Sequence, residues 1–167
     1  ANSPCGPRVV QFVNNTLFNT AHALVDTPFT YYWNFGDGHD TTTRDTASIF
    51  HEFLPDNVNF LPIVYHTTLT AYNECISRDT SIDITVSSRP DARFAPDRTN
   101  ACSNNLIRFT NTSRGYQTRY YFNFGDGTPI IDTPTLDPIF HQYNTGVPRD
   151  YVATLTAINQ CGSSVAQ

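Results

Sequence analysis

The 167-residue chain has no lysine, no methionine and only two glutamates, Glu52 and Glu74. Its ten basic residues are all arginine, and charged residues make up 15%, well below the usual quarter. Net charge is −5, which leaves no basic face of the kind nucleic acid requires. Lysine, glutamate and methionine are good helix formers, so their scarcity argues against a helical protein. No apolar run approaches the roughly 20 residues that a membrane-spanning helix needs. What is present points elsewhere. Hydrophobic residues reach 39% and aromatics 13%, enough to bury a core and too many for a disordered chain. Threonine, asparagine, tyrosine and phenylalanine are abundant, which suits strands and turns.

The chain repeats itself. Asn34-Phe35-Gly36-Asp37-Gly38 recurs 89 positions later as Asn123-Phe124-Gly125-Asp126-Gly127, with Tyr31-Tyr32-Trp33 before the first and Tyr120-Tyr121-Phe122 before the second. Upstream, Phe12 and Asn14 match Phe109 and Asn111; downstream, Ile49-Phe50-His51 matches Ile139-Phe140-His141. Leu69-Thr70-Ala71 with Asn73 then matches Leu155-Thr156-Ala157 with Asn159. Blocks in one order with small changes of offset are a duplication, the changes falling in loops. A repeat near 90 residues exceeds a solenoid unit and fits successive domains. The boundary reads as the polar stretch Ser87-Ser88-Arg89-Pro90, giving domains over 1–88 and 89–167.

Within each repeat the apolar period is two. Tyr31, Trp33 and Phe35 alternate with Tyr32 and Asn34, and Tyr120, Phe122 and Phe124 do the same. Short alternating strands between turn clusters predict an all-β chain of two tandem β-sandwiches. Residues 90–95 precede Cys102 and read as a first strand with no counterpart before Cys5. Residues 81–86 follow Cys75 and read as a last strand, and only six residues follow Cys161. The first domain is therefore expected to lack its opening strand and the second most of its closing one.

The cysteines share the repeat. Cys5 and Cys102 each stand seven residues before a matched phenylalanine, and Cys75 and Cys161 each stand two after a matched asparagine. Four cysteines allow three pairings. If each domain carries its own bridge, the duplication selects Cys5–Cys75 and Cys102–Cys161. Four reduced, buried cysteines are the alternative. No Cys-x-x-Cys spacing points to zinc.

Tyr-x-Trp-Asn-Phe-Gly-Asp-Gly, Phe-His-x-Phe/Tyr and the later Leu-Thr-Ala-x-Asn together resemble the PKD (polycystic kidney disease) domain, in both copies and over nearly the whole chain. The cysteine placement is similar to copies in large cell-surface, gliding and adhesin-like proteins of Bacteroidota. The resemblance implies immunoglobulin-like sandwiches used outside the cell. Asn34 and Asn123 replace the family aspartate, Phe122 a tryptophan, and Thr67, Ala71, Ala153 and Ala157 larger inward residues. Tyr65 and Tyr151 are expected to fill that space.

Few residues nominate chemistry. Gly36-Asp37-Gly38 and Gly125-Asp126-Gly127 read as tight turns whose aspartates accept backbone N–H bonds. Asp37 and Asp40 offer two calcium ligands, but Pro129 stands at the second position in the other copy, which disfavours a shared metal site. His51 and His141 have matched aromatic neighbours and read as packed histidines. Asn14 and Asn111 match the glycosylation sequon but coincide with a repeated turn. Trp33, Phe35, Phe122 and Phe124 complete the structural motif. No catalytic residue, metal ligand or cofactor is predicted. The expected role is a non-catalytic spacer and interaction repeat of a long extracellular surface protein, with adhesion or gliding among its uses. Its partners are protein or glycan ligands and neighbouring modules. The alternative is an accessory binding module of a secreted polysaccharide- or protein-degrading enzyme.

Overall fold

A computed structural model describes residues 4–16 and 28–167. Among the described residues every regular element is a strand, and no helix is long and apolar enough to cross a membrane. The chain divides into two compact units, Ala1–Pro55 with Ile63–Val86, and Asp56–Pro62 with Ser87–Gln167.

The first unit contains β1 (Arg8–Phe12), β2 (Thr30–Asn34), β3 (Asp40–Thr43), β4 (Ile49–Phe53), β5 (Ile63–Tyr72) and β6 (Ser77–Val86). They form a two-stranded sheet, β1-β4, and a four-stranded sheet, β3-β2-β5-β6. All pairs are antiparallel. The second unit contains β7 (Phe94–Pro96), β8 (Leu106–Asn111), β9 (Arg119–Asn123), β10 (Ile131–Thr133), β11 (Ile139–Gln142), β12 (Thr154–Asn159) and β13 (Gly162–Ala166). Its sheets are β11-β8-β7 and β10-β9-β12-β13, again antiparallel throughout. Sequence neighbours part company: β4 leaves its hairpin partner to pair with β1, and β11 does the same with β8. Two hairpins in one sheet, β2–β3 with β5–β6 and β9–β10 with β12–β13, whose intervening strand crosses to the other sheet, are the Greek-key order of an immunoglobulin-like sandwich. Both units are immunoglobulin-like sandwiches.

Register is the same in the two units. Trp33 stands opposite Leu69 and Tyr31 opposite Ala71; Phe122 stands opposite Leu155 and Tyr120 opposite Ala157. Phe12 pairs with Ile49, and Phe109 with Ile139. Because side chains alternate faces, one register puts all of these on the inner face together. The first core gathers Phe12, Tyr31, Trp33, Phe35, Phe53, Leu69, Ile84 and Val86; the second gathers Ile107, Phe109, Tyr120, Phe122, Phe124 and Leu155. Each large side chain removed from water there contributes about 1.5–3 kcal/mol.

The sequence departures are absorbed by packing. Phe122 is smaller than the tryptophan of the other copy, and Phe94 from β7 packs edge-on against it at 5.8 Å. The small residues of β5 leave room that Tyr65 occupies, its ring 5.0 Å from Phe53. Tyr151 stacks on Tyr143 at 4.7 Å in the second unit. The β7 strand is paired to β8 through Phe94–Asn111 and Pro96–Phe109. No described residue of the first unit forms its equivalent. The closing strand β13 has five residues against ten in β6.

The division between units falls after Val86, and the second unit also gathers the loop Asp56–Pro62. Within that unit the Arg114 guanidinium donates to the Val58 carbonyl at 2.8 Å. Ser87 and Ser88 are buried, and the Ser88 carbonyl accepts from Asn159 Nδ2 at 3.0 Å. The segment read as a polar linker is thus held against the sandwich that follows it.

Candidate functional site: a repeated aspartate–histidine clasp

The β2–β3 turn begins with the Asn34 side chain, which accepts from the Gly36 N–H at 2.9 Å. Gly36 and Gly38 have φ of +80° and +92°, conformations that glycine adopts without penalty. A Cβ on Gly36 would also lie 2.6 Å from the His66 carbonyl oxygen, whereas one on Gly38 would meet open space. The Asp37 side chain between them points inward. Its Oδ1 accepts from the His39 N–H at 3.0 Å, and its Oδ2 accepts from His51 Nε2 at 2.7 Å.

The second copy repeats the geometry. Asn123 accepts from the Gly125 N–H at 2.9 Å, and Asp126 Oδ2 accepts from His141 Nε2 at 2.8 Å. Thr128 replaces His39, and both its N–H and its hydroxyl donate to Asp126 Oδ1. In each unit the imidazole stacks face to face on the core phenylalanine, His51 on Phe35 and His141 on Phe124, at 3.8 Å and within 2° of parallel. Since β4 and β11 belong to one sheet while the turns leave the other, each Asp–His bond fastens the two sheets together.

Burial raises the Asp126 carboxyl, but hydrogen bonds from Thr128 and His141 and the nearby imidazole outweigh it and hold the group at about 2. Asp37 shows the same balance, burial raising it and the His51 and His39 bonds bringing it net below its ordinary value. Tyr143 is pushed up to about 12, first by burial and then by the charges of Asp126 and Tyr151. Side-chain exposure is only 9% at Asp126 and 11% at His141, so little solvent screens the pair.

Asp37, His39 and His51 place ligand-type atoms within 4.8 Å of one another. Both Asp37 oxygens already have partners in the chain, and His39 is 76% exposed. The second unit builds the same turn with a threonine in that place. The cluster therefore reads as one version of a structural clasp.

A second repeated solution concerns the carbonyl that ends β2 and β9. Phe35 O accepts from the Thr67 hydroxyl at 3.1 Å; Phe124 O accepts from the Tyr143 hydroxyl at 3.1 Å. Thr67 corresponds to Ala153 and Phe53 to Tyr143. Each unit thus supplies one hydroxyl to this carbonyl, from opposite sheets. Reading the two copies separately misses this exchange; aligning their departures would have found it.

Asn14 and Asn111 are buried, and each accepts from the backbone N–H two residues on, at 3.1 and 3.0 Å. Their amide nitrogens are shielded from solvent, which leaves a glycosylating enzyme no access. His66 is exposed and bonded to Asp83 at 2.7 Å across β5–β6. His22 lies outside the described residues.

The cysteines require a correction. Cys5 and Cys161 are each oxidised to a disulfide, while Cys75 and Cys102 are free, exposed thiols. The within-domain bridges Cys5–Cys75 and Cys102–Cys161 do not form, and topology gives the reason. Cys5 adjoins Gly6, where a Cβ would lie 2.5 Å from Val86 at the end of β6. Cys75 sits in the turn that starts β6, its N–H bonded to Asn73 Oδ1. The ten residues of β6 separate them by about 30 Å at 3.3 Å per residue, and a disulfide needs Cα atoms within about 7 Å. In the second unit Cys161 occupies the β12–β13 turn beside Asn159, whose amide reaches the Tyr116 carbonyl. Cys102 lies ahead of β8, in the loop bonded to Tyr143 and Thr145. The length of β8, about 20 Å, separates those two ends. Matched spacing showed which cysteines correspond; it did not show that the two of one domain occupy opposite ends of its sandwich.

No protein-family model matches the chain, and no curated protein matches it. Among solved structures, an amphioxus IgVJ-C2 molecule is similar over 96% of this chain and 94% of that one, at 10% identity and a TM-score of 0.47. A likeness of that size carries no argument, and the immunoglobulin-like assignment stands on strand order and register.

Proposed function

We propose that the chain is a tandem pair of PKD-type modules acting as a non-catalytic spacer and interaction segment of an extracellular surface protein. The observation that carries this reading is that the repeat-matched acid and imidazole groups of both units are spent on structure. Asp37, His51, Asp126 and His141 hold turns and join sheets, and their aromatic neighbours cover them. A catalytic pair would instead face a substrate space. The cystine supports an oxidising compartment. The interaction part of the reading rests on a repeated apolar surface. Val9 and Phe50 are exposed on the β1–β4 sheet, and Leu106 and Phe140 are exposed at the matching positions of β8–β11. Those phenylalanines are also the observation that favours an accessory carbohydrate-binding role, since exposed aromatics stack on sugars.

Two measurements test the proposal. A membrane-impermeant thiol label applied to intact source cells should modify Cys75 or Cys102; labelling only after lysis would contradict the extracellular reading. Pull-down on a panel of insoluble polysaccharides should leave the purified chain in the supernatant. Depletion by one polysaccharide, abolished by Phe50→Ala with Phe140→Ala, would replace the spacer reading with the accessory one.

A further inference from the structure

We propose that Asp37, His39 and His51 form a binding site for a divalent transition-metal ion of the zinc class in the first unit, at a turn where the second unit has none. The three side chains bring one carboxylate oxygen and two imidazole nitrogens within 4.8 Å of one another. Asp37 and His51 are the clasp that both units share, and they join the sheets by their own hydrogen bond. His39 is the group that only the first unit has. The clasp does not need it, because the second unit closes the same turn with Thr128. The ion is therefore an addition to the fold and not a condition of it.

Exchanging threonine for histidine changes what the aspartate can still accept. Asp126 Oδ1 takes two hydrogen bonds, from the Thr128 N–H and hydroxyl, which use both of its lone pairs. Asp37 Oδ1 takes one, from the His39 N–H at 3.0 Å, and keeps a lone pair for a ligand bond. His39 Nδ1 stands 3.4 Å from that oxygen. That is too long for a charge-assisted hydrogen bond. It matches the separation of two ligands on one tetrahedral ion, about 3.4 Å for bonds of about 2.1 Å. His51 Nε2 completes the set, 2.7 Å from Asp37 Oδ2. A cation in place of the proton these two groups share leaves the sheets joined through the metal, with the ring proton of His51 on Nδ1.

Two of the three ligands are already held in place. The His51 ring is stacked on Phe35 and meets Phe53 edge-on at 4.8 Å. Asp37 is fixed by the turn that carries it. Only His39 has to move. Its ring centroid is 5.8 Å from that of His51, and its side chain is largely in solvent. Side-chain exposure falls to 15% at His51 and 13% at Asp37, so the ion enters from the His39 side and keeps water as its remaining ligand. Two imidazoles and one carboxylate with an open position suit zinc, nickel or copper. Calcium and magnesium favour all-oxygen sets, which this turn does not offer.

Zinc itself is the probe. The purified chain, its free thiols Cys75 and Cys102 blocked by alkylation, is titrated with zinc against a chromophoric chelator at neutral pH. His39→Thr copies the second unit at an exposed position and should weaken zinc binding roughly tenfold or more, since losing even a group behind a ligand costs that much. Thr128→His should add a second equivalent of bound zinc. His66→Ala removes another exposed histidine, bonded to Asp83, and should bind zinc as the native chain does. Zinc should also raise the melting temperature of the native chain and leave that of His39→Thr unchanged. Affinity untouched by His39→Thr, affinity lost equally in His66→Ala, or no gain in Thr128→His would each overturn the inference. Melting of each variant without zinc shows that it is folded, so a loss of binding is not a loss of structure. The inference goes beyond the spacer reading and is independent of it: polysaccharide binding would end that reading and leave the zinc titration as it was.

Discussion

At the scale of single residues the Asp–His clasp sets the acid response. The Asp126 carboxyl is held at about 2, below its ordinary value of 3.8, so its folded form favours the ionised state. A depressed carboxyl contributes stability that is fully present above the unfolded value and lost as pH falls through the folded one. The window here runs from about pH 4 down to about pH 2, and the depression corresponds to roughly 2 kcal/mol. Asp126→Asn should lower the melting temperature at neutral pH and flatten its fall across that window, read by thermal denaturation at stepped pH. Asp37→Asn should act in the same direction, since that carboxyl is lowered by the same kind of partners. The exchanged hydroxyl gives a second residue-scale test. Thr67→Ala strips the Phe35 carbonyl of its buried donor and should cost about 1–3 kcal/mol in urea denaturation. Adding Phe53→Tyr to that variant, which imitates Tyr143 of the other copy, should restore a large part of the loss; no recovery would break the claimed equivalence.

At the scale of elements the β2–β3 and β9–β10 turns distinguish two glycines that look alike in sequence. Gly38 and Gly127 have positive φ and open space around the missing Cβ. Gly36 and Gly125 have positive φ and a backbone carbonyl, His66 or Val152, where that Cβ would stand. Alanine at Gly38 or Gly127 should cost only the left-handed penalty of about 1–2 kcal/mol. Alanine at Gly36 or Gly125 must also push the facing strand away, and should cost clearly more. Equilibrium unfolding of Gly125→Ala against Gly127→Ala measures the difference; equal losses would mean that the close approach is not what fixes the first glycine. The strands themselves were legible, because alternation of Tyr31, Trp33 and Phe35 reports a half-buried strand without reference to anything distant. The Asp–His contact was not. Its partners lie 14 and 15 positions apart, the aspartate in a turn of one sheet and the histidine on a strand of the other, and each motif taken alone has an adequate local reading.

At the scale of the whole molecule the thiol count is the sharpest consequence. Unreduced protein should yield two reactive thiols, Cys75 and Cys102, both before and after denaturation. Reduction should raise the number to four, and mass mapping of the unreduced chain should find Cys5 and Cys161 in disulfide-linked peptides and Cys75 and Cys102 in unlinked ones. Bridges confined to each repeat would leave no free thiol and restore the simpler expectation.

The sequence alone determined the fold class, the duplication and the inner faces, because these depend on composition and on a period of two that repeats within a few residues. Phe12, Trp33 and Leu69 announce their burial, and their counterparts Phe109, Phe122 and Leu155 announce the same fold again. The tertiary structure decided which distant groups meet. A ten-residue strand carries Cys75 about 30 Å from the end of the sandwich where Cys5 stands, and no local pattern records that distance. The Greek-key crossing brings His51 under Asp37 and His141 under Asp126, and it sets Thr67 or Tyr143 beside the same carbonyl. Covalent pairing and sheet-to-sheet hydrogen bonds follow from where strand ends lie in space, and spacing along the chain gives correspondence between copies without giving proximity within them.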